Sequence, residues 1–207
     1  MAVYSPIKEI ELVQLIKQYN IGTLKKFEGI LEGIENTNYK ITTSTDIYIL
    51  TLFEKRVLEE DLPFFVNLKN HLINKKFMCP EPIANKDGFF INKINNKSCV
   101  LISFIKGKQI NNVLPQHCEQ VGGILSTLHT FTLDFKEKRI NRMDYTQWEN
   151  LFIKCKSFNS SKHKSILDLV EKELLFLKNN WPDNLPRGII HADVFKDNVF
   201  FINNIFS

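Results

Sequence analysis

The chain has 207 residues, of which 43% are hydrophobic and 24% charged, a composition typical of a globular protein. The net charge of +4 is spread along the chain, without the dense basic stripe typical of nucleic-acid-binding proteins. The sequence has no apolar run long enough to span a bilayer, and its N-terminus lacks the features of a secretory signal. We therefore expect a cytoplasmic protein that binds neither membranes nor nucleic acids.

The first half of the chain predicts a small antiparallel sheet with one inserted helix. Ser5 and Pro6 suit the N-cap and first turn of an initial helix, which Gly22 ends. A second helix is predicted to begin at Asp61, with Pro63 in its first turn. Aromatic and β-branched runs between turn residues predict strands at 39–41, 47–53, 89–94 and 98–104, the last two forming a hairpin around 95–96.

The second half of the chain predicts amphipathic helices followed by a loop between two short strands. The helices are expected at 115–131, 145–158 and 165–177, and the strands at 188–190 and 199–202. We place the boundary near Gly107. A sheet-rich half followed by a helical half, with a loop between two short strands near the end, is the layout of a kinase-like fold. We therefore predict an α+β fold with two lobes, a sheet lobe (1–106) that would bind a nucleotide and a helical lobe (107–207). The four cysteines lack zinc-ligand spacing and are expected to be free thiols.

The segment between the last two predicted strands, residues 191–198, has the pattern His-x-Asp-x-x-x-x-Asn, which is also the spacing of the protein-kinase catalytic loop. In phosphoryl transfer a carboxylate orients the acceptor hydroxyl and takes its proton, and Asp193 is the candidate. An amide oxygen is a suitable ligand for Mg²⁺, and Asn198 is the candidate. His191 is expected to brace the loop. The alternative is an ordinary polar turn with a buried histidine.

A glycine-containing segment, residues 27–39, is predicted to lie between the first two strands. Kinase-like folds place a loop here whose backbone covers the phosphates of the nucleotide, and glycine permits close approach. Gly29, Gly33, Asn36 and Asn38 are the candidate ATP-binding residues. An ordinary hairpin is the alternative, because the segment does not match Gly-x-Gly-x-x-Gly or the P-loop pattern.

Several segments together resemble the bacterial homoserine kinases of the aminoglycoside-phosphotransferase-like superfamily. They are 32–39 (EGIENTNY), 49–56 (ILTLFEKR), 61–65 (DLPFF), 79–82 (CPEP) and 181–193 (WPDNLPRGIIHAD). The resemblance covers nearly the whole chain. It implies an enzyme that uses ATP and Mg²⁺ to phosphorylate the hydroxyl of L-homoserine, on the route to threonine. It also implies that Ser103, Phe104 and Ile105 form the connector whose backbone meets the adenine.

The sequence departs from the family pattern in two places. Thr51 aligns with the third-strand lysine that pairs with phosphates in related kinases, and Lys55 and Arg56 follow shortly after. The family also continues past Ile202 into a strand with an Asp-Phe motif, whose aspartate is the principal Mg²⁺ ligand. We therefore expect a C-terminally truncated chain that is weakly active or inactive alone.

Two other functions remain open at this stage. One is a kinase of another small hydroxylated molecule, such as choline or an aminoglycoside. The other is a truncated nucleotide-binding pseudoenzyme. The oligomeric state is also open, and so is the identity of the residues that bind the acceptor.

Overall fold

The structure is a computed structural model that describes residues 3–32, 35–54, 57–142, 144–157, 163–182 and 184–206. It divides into two compact units, one formed by the residues up to Glu137 together with Gly188–Ser207, and the other by Lys138–Arg187. The lobe boundary near Gly107 remains a prediction. The helices are α1 (Glu9–Ile16), α2 (Leu62–Asn74), α3 (Pro115–Phe131), α4 (Tyr145–Ser157) and α5 (Lys164–Asn180). The strands are β1 (Leu24–Ile30), β2 (Thr37–Thr43), β3 (Ile47–Leu52), β4 (Ile91–Ile94), β5 (Lys97–Ser103), β6 (Phe201–Ile202) and β7 (Ile205–Phe206).

The first unit contains a five-stranded antiparallel sheet with the strand order β1-β2-β3-β5-β4. Asn95 and Asn96 have φ values of 50° and 61°. Such left-handed backbone is what a tight turn between antiparallel strands needs, and asparagine tolerates it. The β4–β5 hairpin predicted around these residues is therefore confirmed. The α+β fold predicted from the sequence is confirmed as well.

The two faces of the sheet differ in burial because side chains alternate along each strand. One face packs against α1, where Leu12 and Ile16 meet Ile41, Leu50 and Leu101, all nearly inaccessible to solvent. The other face is partly exposed. We call it the open face, and it carries Asn38, Lys40, Ile49 and Thr51.

The first helix starts later than the sequence predicts. Its first residue is Glu9, and the Lys8 N–H donates to the Glu11 carboxylate (2.8 Å). Ser5 does not cap the helix. Its N–H donates to Thr37 Oγ1 (3.2 Å), and its carbonyl accepts from the Tyr39 hydroxyl (3.1 Å), so this stretch is held extended along β2. The helix also ends at Ile16, and Gly22 lies in the turn before β1.

The strand predicted at residues 188–190 is wrong, because these residues adopt no strand or helix. The strand predicted after the loop is confirmed in part. Phe201 and Ile202 pair with β7, and the turn is formed by Asn203 and Asn204 with φ values of 50° and 63°. The predicted helices after residue 115 are confirmed, with shifts of a few residues at their ends.

The second unit contains α4 and α5. Lys178 Nζ lies 3.0 Å from the Glu149 carboxylate, which links the two helices, and the Tyr145 ring stacks on Trp181 with centroids 4.4 Å apart. Within the described part of the chain, the helices lack the combination of length and hydropathy that crossing a membrane requires. All four cysteines are free thiols, as predicted.

We expect Gly22→Ala to destabilise the protein. Gly22 has a φ of 79°, and a Cβ at this position would lie 2.2 Å from Ser44 Oγ. Strain and steric overlap together predict a loss of about 1–3 kcal/mol in the free energy of unfolding, measured by urea denaturation. Gly123→Ala in α3 is the matched control. Its Cβ would meet no described atom within 4 Å, so a small gain is expected from better helix propensity. If Gly22→Ala had the same free energy of unfolding as wild type, the expected strain at residue 22 would be contradicted.

Candidate active site

The loop at residues 191–198 brings Asp193 and Asn198 together, as the motif predicts. Asn198 Nδ2 donates to Asp193 Oδ2 (2.8 Å) and to the Asp193 carbonyl (3.0 Å). A 3-10 turn over Lys196–Asn198, in which the Asn198 N–H donates to the Phe195 carbonyl (2.9 Å), turns the asparagine back toward the aspartate. The loop therefore holds Asp193 Oδ2, whereas Asp193 Oδ1 receives no hydrogen bond from any described residue.

The histidine of the motif lies beside the aspartate. The Asp193 N–H donates to His191 Nδ1 at 3.4 Å, which is a long hydrogen bond. Ala192, between them, has a φ of 65°, a left-handed conformation that is costly for a residue with a side chain. His191 is exposed, so the alternative of a turn around a buried histidine does not describe this loop.

The C-terminal end of the loop is tied to the segment that follows the connector. Lys108 and Phe201 exchange backbone hydrogen bonds of 3.0 and 2.9 Å, and Gln109 Nε2 donates to the Asp197 carbonyl (2.8 Å). The Phe201 ring is buried against His117 of α3, with ring centroids 5.0 Å apart. The chain after β5 and the start of α3 thus support the loop.

The predicted connector is fixed by its own backbone. The Ser103 N–H donates to the Glu81 carbonyl (2.8 Å), and the Phe104 N–H donates to the Ile47 carbonyl (3.3 Å). Among the described residues the Ile105 N–H has no protein acceptor. A free backbone donor of this kind suits the ring nitrogen of a purine.

The loop between β1 and β2 is shorter than the predicted glycine-containing segment, residues 27–39, because both strands extend into that segment. Gly29 belongs to β1, opposite Tyr39, and a Cβ at this position would lie 2.8 Å from Val3 Cγ2. An alanine here would force the Val3 side chain to shift, so packing against the N-terminal segment favours glycine. Asn36 Oδ1 accepts from the Glu54 N–H (3.3 Å), and Gly33 lies outside the described residues.

A network at the end of β3 was not predicted from the sequence. The Glu54 side chain is 10% exposed, forms an ion pair with Lys97, and accepts a hydrogen bond from Thr37 Oγ1 (2.6 Å). Thr37 in turn accepts from the Tyr4 and Ser5 N–H groups (3.0 and 3.2 Å). The network therefore joins the N-terminal segment, β2, β3 and β5. The only sequence signal was the acidic residue within the Leu-Phe-Glu-Lys-Arg stretch, whose Lys55 and Arg56 lie outside the described residues.

Comparison with known proteins agrees with this geometry. Residues 26–206 match the profile of the family described as phosphotransferase enzyme family. The chain belongs to that family. It is 40% identical over 204 residues to a homoserine kinase of Parvibaculum lavamentivorans, covering 99% of this chain and 64% of that protein. It is 41% identical over 207 residues to a homoserine kinase of Bartonella tribocorum, covering 100% of this chain and 65% of that protein. This phosphotransferase chain thus spans just under two thirds of the length of these relatives.

Solved structures of other phosphotransferases share the fold. A spectinomycin phosphotransferase in complex with ADP and spectinomycin matches with a TM-score of 0.64 at 15% identity, over 96% of this chain and 67% of that one. A microcompartment-associated aminopropanol kinase matches with a TM-score of 0.68 at 16% identity, over 93% of this chain and 64% of that one. At such identities the likeness extends to the fold alone.

The residues of this phosphotransferase are chemically suited to Mg²⁺ and a nucleotide. Mg²⁺ prefers oxygen ligands, binds through few protein groups and retains several waters. Asn198 offers its amide oxygen, because its nitrogen faces Asp193. Among the described residues no group of three or more His, Cys, Asp and Glu is arranged to hold a metal, so a chelating cage is not present there. The open face suits a nucleotide, and so does the Ile105 N–H, which has no acceptor among the described residues.

Proposed function

We propose that the protein is a homoserine kinase that transfers the γ-phosphoryl group of ATP to the hydroxyl of L-homoserine. The observation that carries the proposal is the identity of 40% to homoserine kinases across 99% of the chain. The hydrogen-bonded pair of Asp193 and Asn198 supports it, because both side chains needed at the phosphoryl group are held in one loop.

Asp193 is the proposed catalytic base. Because Asn198 holds Oδ2, Oδ1 is the oxygen that accepts the hydrogen bond from the acceptor hydroxyl and then its proton. Asn198 keeps the carboxylate in this orientation. His191 acts through the backbone by accepting the Asp193 N–H, so we assign it a positioning role.

We also propose which residues bind Mg²⁺ and ATP. Mg²⁺, when bound, neutralises charge on the transferred phosphoryl group. The Asn198 amide oxygen is its proposed ligand in this chain. The backbone of Ser103, Phe104 and Ile105 is proposed to contact adenine. Gly33 and Asn36 of the loop before β2, together with Asn38 of β2, are proposed to cover the phosphates. Gly29 of β1, whose lack of a side chain also suits its packing against Val3, is proposed to approach the phosphates together with this loop.

An acceptor comparison tests the proposed function. The protein expressed from its own gene is assayed for ADP release with Mg-ATP and L-homoserine, choline or spectinomycin. We expect kcat/KM for L-homoserine to exceed the others by about 100-fold or more, because a site built for one set of polar groups rejects substrates that leave them unpaired. A preference for choline or spectinomycin would contradict the proposal. ATP binding without turnover of any acceptor would favour the pseudoenzyme.

A further inference from the structure

Thr51 and Asn38 form a hydrogen-bonded pair on the open face of the sheet. They lie opposite each other in the β2–β3 ladder, and Thr51 Oγ1 donates to Asn38 Oδ1 at 2.8 Å. This bond orients the amide, because engaging Oδ1 directs the NH₂ group away from Thr51. Among the described residues that NH₂ group has no acceptor. The pair therefore presents an unused, oriented donor.

The face that carries this pair is also the face that the connector reaches. Lys40 lies two residues from Asn38 on β2 and shares its face, and the Lys40 ammonium lies 5.0 Å from the centroid of the Phe104 ring. The opposite face is buried under α1. A ligand held by the connector and lying against the sheet can therefore contact only the face of Asn38.

The distance along the strand fits a nucleotide. Tyr48 of β3 pairs with Ser103 of the connector, and Thr51 lies three residues further along the same strand. At about 3.3 Å per residue, this separation is about 10 Å. That is comparable with the span from the adenine ring to the β-phosphate of an extended nucleotide. A nucleotide with its adenine at the connector thus brings its phosphates to Asn38.

Neither Thr51 nor Asn38 carries the positive charge that protein kinases place on the third strand next to the phosphates. The family resemblance aligns Thr51 with the third-strand lysine of related kinases, whose ammonium pairs with phosphate oxygens. We propose that Thr51 is instead a positioning residue, which holds the Asn38 amide as a neutral hydrogen-bond donor to a phosphate oxygen of a nucleoside di- or triphosphate. The inference rests on the proposed use of ATP, but not on the identity of the acceptor.

Binding titrations with ATP, ADP and adenosine test whether Thr51 positions the Asn38 amide. Thr51→Val keeps the shape and removes the hydroxyl. We expect it to weaken binding of ATP and of ADP about tenfold, because the Asn38 amide loses the hydrogen bond that orients its donor, and to leave adenosine binding unchanged. Thr51→Ser restores the affinity because it restores the hydroxyl. Asn38→Asp replaces the donor with a negative charge, so its loss for ATP is larger than that of Thr51→Val, again with adenosine unaffected.

The control is Thr130→Val, the same change at an exposed position of α3 outside the sheet, where the hydroxyl donates to the Ser126 carbonyl (2.9 Å) and we expect wild-type affinity for all three ligands. ATP affinity of Thr51→Val equal to that of wild type would overturn the inference, and so would an equal loss for adenosine and ATP. Failure of the wild-type protein to bind ATP overturns both this inference and the proposed function. Turnover of an acceptor other than L-homoserine, with the Thr51→Val effect intact, overturns the proposed function alone.

Discussion

Replacement of Asp193 by asparagine is expected to lower kcat by about 10²–10⁴-fold, the usual contribution of a positioned general base. The introduced amide retains an oxygen that can accept from Asn198 Nδ2, which preserves the loop, but an amide cannot take a proton from the acceptor hydroxyl. Asp193 is exposed, so the free energy of unfolding should change little. Steady-state kinetics with L-homoserine, together with thermal denaturation, measures both quantities.

Asp197→Asn is the matched control for this prediction. Asp197 is an exposed carboxylate in the same loop, and its contact to the rest of the protein runs through its backbone carbonyl, which accepts from Gln109. We therefore expect Asp197→Asn to keep near-wild-type kcat. Equal rate losses for both substitutions would mean that the loop needs negative charge in general and that Asp193 is not the base.

Loss of the Glu54 carboxylate is expected to be the most damaging change to stability outside the apolar core. Glu54→Ala leaves the Lys97 ammonium without its partner and removes the acceptor of the buried Thr37 hydroxyl. Breaking such a largely buried, charge-assisted network costs about 2–4 kcal/mol in the free energy of unfolding. Glu28→Ala removes a pair with Lys26 that is more than half exposed, so it should cost no more than about 0.5 kcal/mol.

The effect of Glu54 also depends on pH. Burial acts to raise the pKa of this carboxyl group, but hydrogen bonds from Lys97, Thr37 and Ser5 outweigh it and hold the pKa below its usual value of 4.5. A pKa that is lower in the folded than in the unfolded protein stabilises the fold above the unfolded pKa. The stability difference between wild type and Glu54→Ala is therefore full at neutral pH and shrinks as the pH falls below about 4. A difference that stayed constant down to pH 3 would contradict the ionised network.

Local features of the fold could be predicted from the sequence because their causes are local. Asp61 and Pro63 mark the start of α2, and the helix begins at Leu62. Asn95 and Asn96 mark a tight turn through their tolerance of positive φ. The return of Asn198 to Asp193 follows from the spacing of one short loop.

Features that depend on distant residues could not be predicted in this way. Ser5 satisfies its hydrogen bonds with Thr37 and Tyr39 of β2, and no pattern near Ser5 indicates these partners. Residues 188–190 have strand-like composition, but composition does not supply a strand to pair with. Contacts with β2 therefore override the preference of Ser5 for a helix start, and residues 188–190 adopt no strand in spite of their composition.

The side-chain pairs of the sheet also depend on register. Thr51 meets Asn38, and Glu54 meets Lys97, only because β2 and β5 pair with β3 in one alignment. A shift of one residue would place Thr51 on the face buried under α1. The family resemblance aligns Thr51 with the third-strand lysine of related kinases, and the structure shows that Asn38 stands beside it.

Phosphorus NMR of the reaction products tests the central proposal most directly. The protein expressed from its own gene is incubated with Mg-ATP and L-homoserine, and the same mixture is run with Asp193→Asn. The proposal predicts loss of the γ-phosphate resonance and appearance of a phosphate monoester coupled to the side-chain methylene of homoserine, with the Asp193→Asn sample unchanged. Release of inorganic phosphate alone, or the same monoester at the same rate with Asp193→Asn, would contradict it.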